Sequence, residues 1–360
     1  MEGVLRDVAE EMLLELLKAY SPSGHEEKAI KILREYVLTL GFDDVHIDGV
    51  GNLIAEIGYG DRSIALVGHI DTVPGELPVE LSNGVVRGRG AVDAKGPLVA
   101  MFIGASLAKN HINLSKHRVY AIAVVGEEGD SRGAKELVKR GFKPNGIIIG
   151  EPSNNSIVLG YRGSVKVKIR CLSASSHTSS PPLEPTVYDK LIDLWIKVRE
   201  RYSTFKAELT TAAILSIQCG DNTEYSVYPR EGSVLIDFRV GINDSVKSIE
   251  EYLSNLVMQY SKCYYDVIDY TQPIRTSVNS TIVRALTRAI IIEGVRPKFV
   301  YKLGTSDMNL LHNCSSNIVA YGPGKSELSH TDKEEISVEE VLQGARIYRS
   351  AIEEFFKLFQ

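Results

Sequence analysis

The residues best placed to do chemistry are two histidines and a set of acids that follow apolar runs. They are His69 and Asp71, Asp93 in a glycine-rich turn, the pair Glu127-Glu128, Glu151, and far downstream His330 in Ser329-His330-Thr331-Asp332. Taken singly, each has a plain structural explanation. A strand-end histidine is commonly a hydrogen-bonded surface group, an aspartate beside glycine shapes a turn, and acids at a helix start complement its dipole. Gathered in one place, so many carboxylates would repel one another and hold their protons more tightly. A pair of divalent cations removes that conflict. Mixed imidazole and carboxylate donors suit zinc, cobalt or manganese better than calcium, and zinc leads. The His-x-Asp spacing adds to this, because the carboxylate two residues on can hold the far imidazole N–H and fix the ligating tautomer of His69.

Positioning such a set takes a particular architecture. Apolar runs at Ser63 to Ile70, Arg118 to Gly126 and Gly146 to Gly150 read as buried strands. Helical patterns intervene at Leu98 to Ala108, behind Gly96-Pro97, and at Gly133 to Arg140. This alternation predicts βα units around a mixed, largely parallel sheet flanked by helices, an α/β class. In such sheets ligands bind beyond the carboxyl ends of the strands, so loop residues scattered in sequence can converge.

After Gly163 the rhythm changes. Val165 to Cys171 alternates apolar and polar residues, as an antiparallel strand with one wet face does. A helix at Thr186 to Arg201, strands at Ala212 to Gln218 and Ser233 to Val240, and a helix at Ser248 to Ser261 give an inserted α+β, ferredoxin-like domain over 163–272. The first domain, 1–162, resumes at 273–360 through Ala285 to Ile292, Lys298 to Lys302, Asn317 to Ala320 and a final amphipathic helix bearing Val341, Leu342, Ala345, Ile352 and Phe355.

Composition narrows the class of partner. A hydrophobic content of 44% and a charged content of 24% describe a folded globular chain rather than a disordered one. The net charge of -5, with no basic block, argues against a nucleic-acid partner. Met1 to Tyr20 spaces leucines helically among acids and lacks the pattern of a secretion signal, and no apolar run approaches a membrane span. Cys171, Cys219, Cys263 and Cys314 stand far apart with no CxxC pair, so a zinc ribbon and a disulfide framework are not expected. Reduced cysteines in a cytoplasmic protein are the expectation.

Five segments together carry a resemblance: Gly68-His69-Ile70-Asp71-Thr72-Val73-Pro74, Gly88-Arg89-Gly90-Ala91-Val92-Asp93-Ala94-Lys95-Gly96, Gly126-Glu127-Glu128 with Gly133, Gly150-Glu151-Pro152-Ser153, and Ser329-His330. The chain resembles, over essentially its whole length, the zinc-dependent aminoacylase and carboxypeptidase family. That family includes acetylornithine deacetylase and succinyl-diaminopimelate desuccinylase. The resemblance implies a hydrolase of linear amides with Asp93 bridging two cations, His69 and Glu151 completing one site, and Glu128 and His330 the other. Glu127 would be the general base and then acid, with Asp71 orienting His69. The resemblance also implies a cis peptide at Asp93-Ala94 and an inserted domain serving as lid and dimerisation element. His177, in Ser175-Ser176-His177-Thr178, would reach the active site of a partner subunit and stabilise developing negative charge.

Substrate recognition divides among weaker signals. Arg239, on an apolar strand, can bind a carboxylate through two parallel hydrogen bonds, or pair with Asp237. Gly304, Thr305 and Ser306 can offer N–H groups and hydroxyls to an anionic group, or simply cap a helix. Ser226-Val227-Tyr228-Pro229 departs from the Asn-Val-Ile-Pro of many relatives, so contacts made by that asparagine are not carried over. Lys302-Leu303-Gly304-Thr305-Ser306-Asp307-Met308-Asn309 and Tyr161-Arg162-Gly163-Ser164 look like the branch that releases lysine or ornithine from LysW, a small acidic amino-group carrier protein. In that branch the product's α-amine is held as an amide on the carrier's terminal glutamate side chain, in lysine and arginine biosynthesis. The alternative is a deacylase of free N-acetylornithine, N-acetyllysine or a related N-acyl amino acid, or a dipeptidase. A homodimer is the expected assembly, and the sequence does not decide whether dimers pair further into a tetramer.

Overall fold

The computed structural model describes residues 2–220 and 225–359. They divide into two units: one comprises the chain up to Gly160 with Thr276–Val300 and the segment from Ser306 onward, the other Tyr161–Arg275 with Tyr301–Thr305. Residues 301–305, assigned by the sequence reading to the catalytic domain, group with the second unit.

The first unit is built on a mixed sheet. Its strands are β1 (Asp44–Ile47), β2 (Leu53–Ile57), β3 (Arg62–His69), β6 (His117–Val124), β7 (Gly146–Gly150), the strand Ile318–Tyr321 and β8 (Ile157–Tyr161). They run in the order β1-β2-β6-β3-β7, then Ile318–Tyr321, then β8. Strand β3 pairs in parallel with both β6 and β7, and β7 pairs in parallel with the strand Ile318–Tyr321, while β1, β2 and β8 join antiparallel. This is the expected largely parallel sheet, and its central strands are buried along nearly their whole length because helices cover them. The helix α3 (Lys95–Ala108) packs against α1 (Glu2–Lys18) and α9 (Val338–Leu358), and α9 against α7 (Thr281–Ile292). Close approach of α3 and α9 depends on Gly104, where an added Cβ would lie 2.6 Å from the Cβ of Tyr348. Among the described residues no helix is long and apolar enough to cross a membrane.

A small sheet formed by β4 (Glu80–Ser82), β5 (Val85–Arg87) and Glu335–Ser337 was not anticipated. Its three-residue strands are too short to show a two-residue period. It matters because it ties the chain before Asp93 to the chain after His330.

The second unit is an antiparallel sheet in the order β10 (Thr211–Cys219), β11 (Glu231–Val240), β9 (Gly163–Leu172), β12 (Cys263–Thr271), with α5 (Val187–Arg201) and α6 (Val246–Val257) packed on it. In β9 the residues Val165, Val167, Ile169 and Cys171 are buried while Lys166 and Arg170 face out. Thr186 starts α5 with a capping box to Asp189. The strand β12, absent from the sequence reading, completes a β-α-β-β-α-β order. The expectation of reduced cysteines needs correction: Cys171 and Cys263 are directly opposed in the register of β9 with β12 and joined by a disulfide. Their separation of 92 residues leaves no local spacing to betray the pair. Only the register brings them together.

Candidate metal centre

The carboxyl ends of β3, β6 and β7 lie along one edge of the sheet and deliver the site. His69 is the last residue of β3, Glu127 and Glu128 lie just beyond β6, and Glu151 directly follows β7. Gly126, at φ 78°, makes the turn that brings Glu127 and Glu128 back over the sheet.

Asp93 stands between the two histidines. Its Oδ1 lies 3.1 Å from His69 Nε2 and its Oδ2 3.3 Å from His330 Nε2. Glu151 Oε1 lies 3.9 Å from His69 Nε2, and Glu128 Oε1 lies 2.6 Å from His330 Nε2. His69, Asp93 and Glu128 can each present one donor atom within 4.8 Å of the others. The structure thus brings all five expected ligands into one cluster with Asp93 facing both ways. His330 takes a left-handed backbone, φ 63°, and its ring is half exposed. The Asp93-Ala94 peptide is cis.

Asp71 holds this arrangement from beneath. Its Oδ1 accepts from the N–H of Glu127 and its Oδ2 from the N–H of Glu128, both at 3.0 Å, while the Ser23 hydroxyl donates to Oδ2 at 2.6 Å. His69 Nδ1 lies 2.9 Å from the Asp71 carbonyl oxygen and 3.7 Å from its carboxylate. The backbone of Asp71 therefore makes the closer contact with the imidazole, and the carboxylate is committed mainly to the Glu127-Glu128 turn.

Three further residues were missed. Glu334, fully buried, accepts from the N–H groups of Val92 at 3.0 Å and Asp93 at 2.8 Å, and from Arg89 Nη1 at 2.9 Å. Arg89 also donates to the Thr331 carbonyl, so this ion pair fastens the Asp93 turn to the His330 loop. Asp307, the first residue of α8 (Asp307–Leu311), is a buried carboxylate in the same electrostatic field. No local pattern separates these acids from the surface acids around them.

Gathering these charges perturbs each of them. Burial, reinforced by Glu151, Asp307 and Glu128 against the opposing charge of His69, raises Glu127 well above the usual carboxylate range. Burial likewise lifts Glu151 to about 8 and Asp307 to about 7. Burial alone would raise Asp93 too, but hydrogen bonds from His330 and His69 hold it low. Hydrogen bonds to Asp93 and Glu128 lift His330 to about 10. For His69, burial opposes the charged ring, yet the nearby Asp71 carboxylate and the hydrogen bond to Asp93 overcome it. A donor set of two imidazoles and three carboxylates, with one carboxylate shared, fits two divalent cations.

The remaining candidates belong, except for Ser306, to the second unit. Arg239 Nε donates to Asp237 Oδ2 at 3.0 Å, and its side chain is 41% exposed, leaving donors for a second acceptor. His177 is exposed, with Nδ1 2.8 Å from the Ser179 hydroxyl and a β-bridge to Val227. Both belong to the second unit, as do Gly304 and Thr305. Ser306 spends its hydroxyl on the N–H of Met308, as a helix cap does.

A family model described as peptidase family M20/M25/M40 matches residues 65–354. The chain belongs to that family. Among M20 relatives, a "[LysW]-lysine/[LysW]-ornithine hydrolase" of Sulfurisphaera tokodaii is 38% identical over 350 residues, covering 96% of this chain and 94% of that one. A protein of the same name from Saccharolobus islandicus is 36% identical over 361 residues, covering 98% of each. Among solved structures, the aminopeptidase PepT of Bacillus cereus aligns with a TM-score of 0.80 at 21% identity over 98% of this chain and 99% of its own. The Bacillus subtilis YxeP protein, described as a dinuclear metal-binding M20 peptidase, aligns with a TM-score of 0.77 at 14% identity over 99% of each. These structural likenesses establish the M20 fold.

Proposed function

We propose that this chain is a two-metal amide hydrolase that releases lysine or ornithine from a carrier protein of the LysW kind. The chemistry rests on one observation: Asp93 presents an oxygen to each of two histidine-carboxylate groups, with Glu127 beside them outside the donor set. The substrate rests on full-length likeness to the two named hydrolases.

His69 and Glu151 would hold one cation, Glu128 and His330 the other, with Asp93 shared; zinc is our first assignment and cobalt the second. Such a pair supplies Lewis-acid polarisation of the amide carbonyl and lowers the pKa of water from 15.7 toward about 7. Glu127 accepts the attacking water's proton and returns it to the departing amine. Asp71, gripping the N–H of both Glu127 and Glu128, fixes the base relative to its neighbouring ligand. Arg239, with Gly304 and Thr305, would receive the carboxylate of the amino acid, whereas Ser306, engaged with Met308 and Asn309 as a helix cap, is left out of that role. His177 would donate to the developing oxyanion from a second copy of the chain, so we assign a dimeric, cytoplasmic enzyme of lysine and arginine biosynthesis.

The test is Glu127→Gln. It should keep both metal equivalents and the melting temperature while kcat falls by about 10²–10⁴; turnover within tenfold of the parent would remove the assigned role. For the substrate, carrier loaded with lysine should exceed free Nα-acetyl-lysine and Nα-acetyl-ornithine in kcat/KM by at least about tenfold, roughly 1.4 kcal/mol. A smaller margin would withdraw the carrier.

A further inference from the structure

Asp307 is an ionisable group without a role in the chemistry above. It is only 2% exposed, and its Oδ1 has no hydrogen-bond partner among the described residues. It opens α8, which packs against the helix Arg132–Lys139 that follows the Glu127-Glu128 turn, and its charge acts on His69, Glu127 and Glu151. An unpaired carboxylate removed from water is costly, and a fold retains one where a partner arrives to compensate it. The cations acting on it are already engaged: Lys135 Nζ donates to the Asp130 carbonyl, and His69 Nε2 faces Asp93.

Charge counting points the same way. Asp71, Asp93, Glu127, Glu128, Glu151 and Asp307 form one electrostatic network. Two dications offset four of these six carboxylates and the buried Lys95, acting on Asp71, at most a fifth, so the loaded site still favours a positive ligand. The proposed substrate carries its α-nitrogen in the scissile amide, and the cation it retains is the side-chain ammonium.

Resting on the substrate proposed above, we infer that Asp307 is the specificity-determining residue that receives the side-chain ammonium of the lysine or ornithine being released. An ammonium is a point charge with three rotatable donors on a flexible stem, so one carboxylate can serve chains that differ by a methylene.

The test compares carrier loaded with lysine against carrier loaded with norleucine, which has the same carbon chain and no amine. The parent enzyme should favour lysine by at least about 30-fold in kcat/KM, the scale of a buried charged hydrogen bond. Asp307→Asn should bring that ratio to within about threefold, with the loss of lysine turnover chiefly in KM. Asp307→Glu, whose carboxylate reaches one methylene further, should shift preference from lysine toward ornithine. A purely structural role would not produce that exchange. Equal losses on lysine and norleucine in Asp307→Asn, or an unchanged lysine-to-ornithine ratio in a folded, metal-loaded Asp307→Glu, would overturn the assignment. Failure of the carrier reading looks different: the parent would cleave Nα-acetyl-lysine but not loaded carrier. The Asp307 comparison then runs on Nα-acetyl-lysine against Nα-acetyl-norleucine, with the same outcomes deciding it.

Discussion

Removing the cations should make the fold lose stability as pH rises, and the buried carboxyls set the size of the effect. Glu151 binds its proton more tightly folded than unfolded: burial, with the charges of Asp93, Asp307 and Glu128 outweighing His69, lifts it from 4.5 to about 8. A group raised in this way favours the fold at low pH. Its contribution is fully present below 4.5 and is lost as pH climbs through about 8. Asp307, lifted to about 7, and Glu127, also raised, work in the same direction. So does His330, whose ion pairs favour the fold fully below 6.5 and are lost as pH passes through about 10; its ring is half exposed, and no energy is assigned to it. Asp93, held low, changes charge only in acid below this window.

At about 1.4 kcal/mol per tenfold change in proton affinity, the share of the Glu151 effect between pH 5 and pH 9 is about 4 kcal/mol. At roughly 2 °C per kcal/mol for a unit of this size, the Glu151 share alone should lower the melting temperature in chelator by about 8 °C across that range. Differential scanning calorimetry of chelated and zinc-loaded protein measures it directly. Loaded protein should show no such fall, because deprotonated ligands bind metal and protonated ones do not. Glu151→Gln isolates one share: its chelated form should lose about 4 kcal/mol of the fall, leaving the part that Asp307 and Glu127 carry. A chelated melting temperature that is flat or rises from pH 5 to pH 9, or an equal slope in Glu151→Gln, would refute the electrostatic account.

Three further outcomes can be measured. Glu334→Ala strands the buried Arg89 guanidinium and frees the N–H groups of Val92 and Asp93, so the unfolding free energy in denaturant should drop by about 3–5 kcal/mol; a change below about 1 kcal/mol would show that the ion pair does not anchor the turn. Opening the Cys171–Cys263 bond, by reductant or as Cys263→Ser, releases a loop spanning 92 residues. Chain entropy puts the loss for the second unit at up to about 4–5 kcal/mol, read as an earlier urea midpoint, and coincident reduced and oxidised curves would count against a structural bond. His177→Ala should lower kcat by about 10²-fold with little change in KM. Mixing it with Glu127→Gln chains should restore activity if the histidine serves a neighbouring copy, whereas a fully active monomer would end that assignment.

The parts of the site that could be read from the chain share a local signature. His69, Glu128 and Glu151 sit at or just beyond the ends of strands whose apolar runs are continuous because both faces are covered, so the run announces the strand and its end marks the ligand. Asp93 is flagged by its glycines. His330 has no strand of its own: its residue type made it a candidate, and the combined resemblance gave it a role. The second unit was legible where one face is wet, as in β9, and less so at β12, where exposed Tyr264 and Tyr270 interrupt the apolar-polar alternation.

What could not be read acts through groups that every sequence possesses. Glu334 grips Asp93 by backbone N–H groups across 241 residues, and Asp71 grips the Glu127-Glu128 turn the same way across 56 and 57. An N–H donor leaves no trace in residue type, so the acceptor looks like any other acid until the fold is known. The same reasoning explains Asp307, which a helix start accounts for completely until its burial and its unpartnered oxygen are seen. Ligands are therefore legible by type and position, whereas the residues that hold them are defined by a register of long-range contacts. That makes the supporting acids, rather than the ligands, the sharper test of this geometry: substituting a ligand disturbs any metal site, but Glu334 should matter only if the Asp93 turn and the His330 loop are fastened together as described.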